Sequence, residues 1–227
     1  MDFITSNNIV LITTTLYNNT ISEKRRNNIK NEMEKYNIPI FFCKGIKCNQ
    51  ASKKGYISNI IILRKLLFFK NTKYDYGIIC DDDFSPHINF LEELILTTNL
   101  LPKNWRCLHL CPGYLWGRKN RICNKNGNLH PEGNISNLEY NKSGRFFINC
   151  KSKLWVSKRL WLGGPIALLV NKYNIDSLIN EYLNYYKKNE NEINDVIFTN
   201  ILNVNDYVCR YPLLGYENEE GGTTFIS

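Results

Sequence analysis

The stretch Tyr74–Leu94, YDYGIICDDDFSPHINFLEEL, decides the reading of the fold. Gly77-Ile78-Ile79-Cys80 is a short apolar run bounded by polar residues, which reads as a buried strand. Three consecutive aspartates, Asp81, Asp82 and Asp83, end it. Ser85 and Pro86 then read as a helix start, the serine as cap and the proline in the first turn, where its missing N–H costs nothing. Carboxylates packed this closely repel one another unless they are solvated or something positive sits among them.

Outward from this stretch, strands and helices alternate. Asn8–Thr15 reads as a strand, Ser22–Tyr36 as a helix with Ile29 and Met33 at helical spacing, and Ile38–Cys43 as a second strand. Lys54–Lys70 is rich in isoleucine but too long for one ordinary strand, so it reads as a helix. Trp105–Cys111 is a strand in which Cys107 and His109 alternate with Leu108 and Leu110. This order predicts an α/β fold of Rossmann-like character, a mostly parallel sheet with helices on both faces. Residues 112–145 form a long irregular excursion, and loops of that length inside a compact domain are commonly functional. Strand character returns in RFFINCKSKLWVSKRLW, residues 145–161. A Gly163-Gly164-Pro165 turn then precedes a strand at Ile166–Val170, a helix from Asn174 and another helix within NEINDVIFTNIL, residues 191–202. The tail from Tyr211 reads as irregular. No repeat or linker divides the 227 residues, so one domain spanning 1–227 is expected.

Hydrophobic residues make up 43% and charged residues 22% of the chain, as in ordinary globular proteins. No apolar run approaches the ~20 residues that span a bilayer. The opening MDFITSNNIVLITTT has no basic segment and carries Asp2, which reads against a secretory leader and for a cytoplasmic protein. The eight cysteines include no CxxC pair and several lie in apolar stretches, the pattern of buried thiols in a reducing compartment. Cys107, Cys111 and Cys123 with His109 match no common zinc spacing. The net charge of +8 is dispersed in small clusters, among them Lys24-Arg25-Arg26. Each cluster reads equally as a solvated face, and the total suits a phosphorylated ligand as well as a nucleic acid.

In open α/β sheets, ligands bind beyond the carboxyl ends of strands, where Asp81, Asp82 and Asp83 fall. A hard divalent cation held by one or two carboxylates plus substrate phosphates uses such a cluster, and it would stabilise a diphosphate leaving group. A plain acidic turn before a capped helix is the alternative.

The same segment resembles the DxD segment of GT-A fold glycosyltransferases, in which a strand delivers the acids and a helix follows. Three further segments agree in order. LITTTLYNNTISEKRRNNI resembles the first strand and nucleotide-binding loop. WRCLHLCPG falls where the lipooligosaccharide and collagen galactosyltransferase family (family 25) has a strand, and GGPIALLVNKYNIDSLI resembles its Gly-rich turn, strand and helix. The chain is also similar to compact single-domain transferases of large DNA viruses, which would place it in a host cytoplasm.

The resemblance implies a metal-dependent glycosyltransferase using Mn2+ or Mg2+, a nucleotide-diphosphate sugar donor such as a UDP-sugar, a glycan acceptor and no nucleic-acid partner. Residues 1–111 would form the donor half and 112–227 the acceptor half. Asp81 and Asp83 match the outer acids of DxD: Asp83 would ligate the metal directly, and Asp81 would face the donor ribose or reach the metal through water. Thr13, Thr14 and Thr15 fall near the nucleobase and ribose, or are simply a β-branched strand end. Arg25 or Arg26 would approach the diphosphate, and Lys54 and Ser58 also fall where related enzymes contact the donor. Gly163 and Gly164 would let a ligand approach the backbone closely. The late histidine that many such enzymes add as a third metal ligand has no counterpart after His130. Asp195, in an acidic helix start, matches the catalytic acid of inverting members and would deprotonate the acceptor; otherwise it is a first-turn acid favoured by the helix dipole. A metal-dependent nucleotidyltransferase or phosphohydrolase would share the acidic cluster but calls for a P-loop, a further acidic motif or a histidine cluster, none of which the sequence contains. A non-enzymatic basic nucleic-acid-binding module would need its cations gathered on one face with aromatics.

Overall fold

The computed structural model describes residues 4–47, 54–82, 84–86, 89–99, 101–110, 147–149, 167–201, 205–209 and 214–216. In chain order the elements are β1 (Ile9–Thr15), α1 (Thr20–Glu34), β2 (Ile40–Lys44), α2 (Lys54–Lys70) and β3 (Tyr76–Cys80). They continue with β4 (Phe84–Pro86), α3 (Phe90–Thr98), β5 (Cys107–His109), β6 (Phe147–Asn149) and β7 (Ala167–Asn171). The last are α4 (Ile175–Lys188), α5 (Asn194–Ile201), β8 (Asp206–Cys209) and β9 (Leu214–Tyr216). No helix among the described residues is long and apolar enough to cross a membrane.

The main sheet has seven strands in the order β2-β1-β3-β7-β5-β8-β6. β1 pairs in parallel with β2 and β3, and β5 in parallel with β8. β7 is antiparallel between β3 and β5, and β6 is antiparallel to β8. β1, β2, β3, β5 and β8 therefore share one direction, giving the mostly parallel α/β sheet that the alternation of elements predicts. Every residue of β1, β3 and β7 is buried. That is why these strands are continuous apolar runs: helices cover both faces and leave no polar side.

Alternate strand residues serve the two faces. Ile9, Leu11, Ile78 and Leu169 pack with Ile29 and Met33 of α1 and Phe90 and Leu94 of α3. Val10, Ile12, Ile79 and Leu168 pack with Ile62, Leu66 and Phe69 of α2 and with α4 and α5. α1 starts two residues earlier than its predicted onset because Asn19 is the cap, its Oδ1 accepting from Ser22 N at 2.9 Å. α2 covers the predicted Lys54–Lys70. It seats on the sheet because residue 77 is glycine: a Cβ there would lie 2.7 Å from Cδ2 of Phe69. Full burial of such a ring contributes about 1.5–3 kcal/mol, so a side chain at this position would cost much of that contact.

Two expectations are corrected. Ser85 and Pro86 do not start a helix; they belong to β4, which pairs antiparallel with β9. α3 begins at Phe90, after an Asn89 that makes no side-chain cap hydrogen bond, with Glu92 and Glu93 in its first turn. The local cap signal gives way to pairing with a distant strand, in a two-stranded ribbon where a proline is tolerated. By the same pairing the tail is not irregular throughout, since Leu214–Tyr216 is β9. β8 was likewise not legible, because its alignment depends on a buried charge. Arg106, just before β5, donates through Nε to Asp206 Oδ1 at 2.8 Å, through Nη1 to Glu181 Oε2 at 2.7 Å and through Nη2 to Asp206 Oδ2 and Ile201 O. Burial opposes the charge on Arg106, but the hydrogen bonds and attraction of Asp206, with Cys107 and Glu181, hold its pKa above the ordinary value. This network ties β5 and β8 to α4 and α5 at the amino edge of the sheet. The predicted excursion of residues 112–145 lies outside the described residues.

Candidate active site

β2 and β3 flank β1 on opposite sides, and their crossover helices α1 and α2 lie on opposite faces. The chain thus reverses its winding at β1, and the carboxyl ends of β1 and β3 lie at the switch point where open α/β sheets form their ligand crevice. Thr13, Thr14 and Thr15 end β1 there, and by strand alternation Thr13 and Thr15 fall on the α1 face and Thr14 on the α2 face. All three are buried, and their hydroxyls have no hydrogen-bond partner among the described residues. Buried hydroxyls without partners cost free energy, so three in succession mark a place where water or a polar ligand is expected. Gly45, just past β2, donates its N–H to Thr15 O at 2.8 Å. A Cβ at Gly45 would lie 2.9 Å from Leu16 Cδ2, so the glycine lets the loop after β1 lie against the end of β2.

The aspartates at the end of β3 divide between the two faces. Asp82 is buried and turns to α1, where Arg25 Nη1 donates to its Oδ1 at 3.2 Å and Ser22 Oγ to its Oδ2 at 3.5 Å. Asp81 turns to α2 and is 43% exposed; Lys65 Nζ donates to its Oδ1 at 3.2 Å. Lys65 itself is 1% exposed and also donates to Cys80 O at 2.7 Å. Each of the two described carboxylates therefore has its own cation, which answers how adjacent acids are tolerated at one strand end. Asp83 lies outside the described residues.

The remaining predicted site residues are distributed as follows. Arg25 is at the crevice, but its guanidinium braces Asp82. Ser58 donates its hydroxyl to Gly55 O of its own helix at 2.8 Å. Lys54 opens α2, and its side chain lies outside the described residues, as do Gly163 and Gly164. Asp195 is in the first turn of α5. The loop before α5 packs on the start of α2, with Asn59 Nδ2 donating to Glu192 O at 2.7 Å. Lys65 reaches Cys80 O, and α2 begins about three turns, roughly 15 Å at 1.5 Å per residue, further toward the carboxyl side of the sheet. The start of α5 thus stands on the carboxyl side of the sheet, as Asp81 does.

Of two further residues of this region, the sequence reading did not single out Lys65 and weighed His109 only as a zinc ligand. Lys65 had a signal: with Ile57, Ile61, Ile62, Leu66 and Phe69 it falls on the buried stripe of α2, where a lysine calls for a buried partner. His109 is buried with Nε2 unpartnered among the described residues. Burial pushes it down to about 4, with Asp206 pulling weakly the other way, so it is neutral near pH 7. Cys107 donates its thiol to Asp206 Oδ1 at 3.0 Å, and no group of three metal-binding side chains occurs among the described residues. Among the described residues, Oδ2 of Asp81 has no hydrogen-bond partner and is what the two acids offer a divalent cation, because Asp82 is committed to Arg25 and Ser22. One or two carboxylates suffice where phosphates complete the shell, so these residues fit a cation that arrives with a nucleotide.

No protein-family model matches the chain, and no curated protein matches it. Among solved structures it is similar to a glycosyltransferase involved in glycosylation of the major capsid of PBCV-1, with a TM-score of 0.40 and 11% identity over 79% of this chain and 67% of that one. It is also similar to a mutant Drosophila β-1,4-galactosyltransferase 7 in complex with manganese, UDP-Gal and xylobiose, with a TM-score of 0.34 and 13% identity. That alignment covers 74% of this chain and 52% of the galactosyltransferase, so the chain spans about half its length.

Proposed function

We propose that this protein is a metal-dependent glycosyltransferase that moves a sugar from a nucleotide-diphosphate donor, a UDP-sugar, to a glycan acceptor. The observation that carries the reading is the winding reversal itself, where buried threonine hydroxyls without partners among the described residues end β1 and the half-exposed Asp81 ends the adjacent β3. The order of the four sequence segments that resemble GT-A enzymes supports the same reading. Residues 1–111 supply the donor side and 112–227 the acceptor side of a single domain.

In this reading Thr13, Thr14 and Thr15 form the strand end that lies near the nucleobase and ribose. Asp81 and Asp83 would hold Mn2+ or Mg2+, and the chemistry such a cation would supply is neutralisation of charge on the departing diphosphate. Asp195, in the first turn of α5, would remove the proton of the acceptor hydroxyl as it attacks the anomeric carbon, giving a single displacement with inversion. Lys54 and Ser58 line the donor side and Gly163-Gly164 lets the sugar approach the backbone.

The test is a thermal-shift panel of nucleoside diphosphates and nucleotide sugars with and without manganese, followed by NMR of the anomeric proton of the product. Stabilisation by a nucleotide sugar that needs the metal, and that Asp83→Asn abolishes, is the expected result; a native-state ligand at 100 times its Kd stabilises by about 2.7 kcal/mol. A panel in which no nucleotide sugar stabilises the fold overturns the reading.

A further inference from the structure

We propose that Lys65 sets the cation affinity of the site at the end of β3, by occupying one oxygen of Asp81 and fixing a positive charge beside it. The inference rests on the metal site of the proposed function. Lys65 is 1% exposed, and its ammonium lies 3.2 Å from Asp81 Oδ1 and 2.7 Å from Cys80 O. A buried ammonium held by a strand carbonyl does not swing away when a cation arrives. Asp81 therefore keeps Oδ2 clear of Lys65, and any cation it takes feels the repulsion of a charge that the fold holds in place. The arrangement differs from that of Asp82, whose partners Arg25 and Ser22 lie on α1 and leave it buried. Lys65 thus withholds the empty site from free divalent ions and reserves Asp81 for a cation that brings the negative charge of a diphosphate with it.

The consequence runs opposite to what loss of a structural contact would do. Lys65→Met keeps the length and burial of the side chain and removes the charge; Lys65→Gln keeps a donor and removes the charge. The probe is Mn2+ alone, its free concentration read by electron paramagnetic resonance, with the melting temperature recorded for each variant. Both variants are expected to bind Mn2+ about ten-fold tighter than the wild type, the scale of removing one unit charge several ångströms from the ion. Adding Asp81→Asn to Lys65→Met should erase the gain. The dependence of nucleoside-diphosphate binding on metal should also steepen, because the resident cation is gone. Wild-type Mn2+ binding that both variants leave unchanged or weaken overturns this inference alone, a lowered melting temperature then marking Lys65 as a structural tie. Absence of Mn2+ binding in the wild type and both variants overturns the metal site of the proposed function and this inference with it.

Discussion

Asp81 and Asp82 are neighbours in the chain that answer to opposite faces of the sheet: Asp81 meets Lys65 of α2, and Asp82 meets Arg25 of α1. Strand alternation, continued past Cys80, produces the division. One acid is left half-exposed at the crevice while the other is 1% exposed and braces a helix. Asp82→Asn is therefore expected to lower stability by about 2 kcal/mol, the scale of a buried hydrogen bond to a charged group, and to leave the metal-dependent nucleotide shift in place. Asp81→Asn should lose less stability, since its amide oxygen still accepts from Lys65, but should lose the shift. Urea denaturation and thermal shift on the two variants check the pair; equal loss of the shift in both would place Asp82 in the site.

The contact between Gly77 and Phe69 makes a sharper statement about packing. A methyl group at residue 77 would sit 2.7 Å from the ring. Gly77→Ala should destabilise by about 1–3 kcal/mol, the usual cost of overpacking a closed core. Combining it with Phe69→Leu should cost less than the sum of the two single changes, because the smaller side chain vacates the space. Additive losses would mean that the clash is relieved elsewhere.

His109 predicts a pH dependence. Its pKa in the fold, about 4, lies below the ordinary 6.5, so the unfolded chain takes up the proton first as pH falls. Its contribution is intact above pH 6.5 and is lost progressively between there and about 4, by up to about 3 kcal/mol. Stability measured across that window should therefore fall less steeply in His109→Gln than in the wild type. Parallel curves would mean that the imidazole finds a partner or solvent when charged.

Asp195 tests the mechanism. The expected outcome of Asp195→Asn is unchanged affinity for donor and metal with turnover lowered ~10²–10⁴-fold, the range for loss of a general base. Product from the wild type should carry a β linkage when the donor is α-linked. An active Asp195→Asn enzyme would remove this residue from the role, and retention at the anomeric carbon would remove the single displacement.

Much of the first half of the sheet was legible from residue order alone. The strand runs NIVLITTT and GIIC, and the helix at Lys54–Lys70, are local signals: continuous apolar runs of strand length, or an apolar stripe too long for a strand, leave little choice of conformation. The placement of Thr13–Thr15 and Asp81 at strand ends follows from the same runs. The assignment of individual acids did not. Sequence treats Asp81 and Asp82 as equivalent, whereas their partners Lys65 and Arg25 stand 16 and 57 residues away, and only packing of α2 and α1 on opposite faces brings each to its carboxylate. Ser85-Pro86 carries a helix-start signal of the usual strength and is nonetheless a strand, because Leu214–Tyr216 returns to pair with it. Local propensity differs by about a kilocalorie per residue between such outcomes, and a set of backbone hydrogen bonds from a distant segment outweighs it. The sequence by itself determined that this protein is an alternating α/β sheet with acids at the end of its third strand; tertiary structure alone decided which acid is buried, which faces the crevice, and which lysine stands beside it.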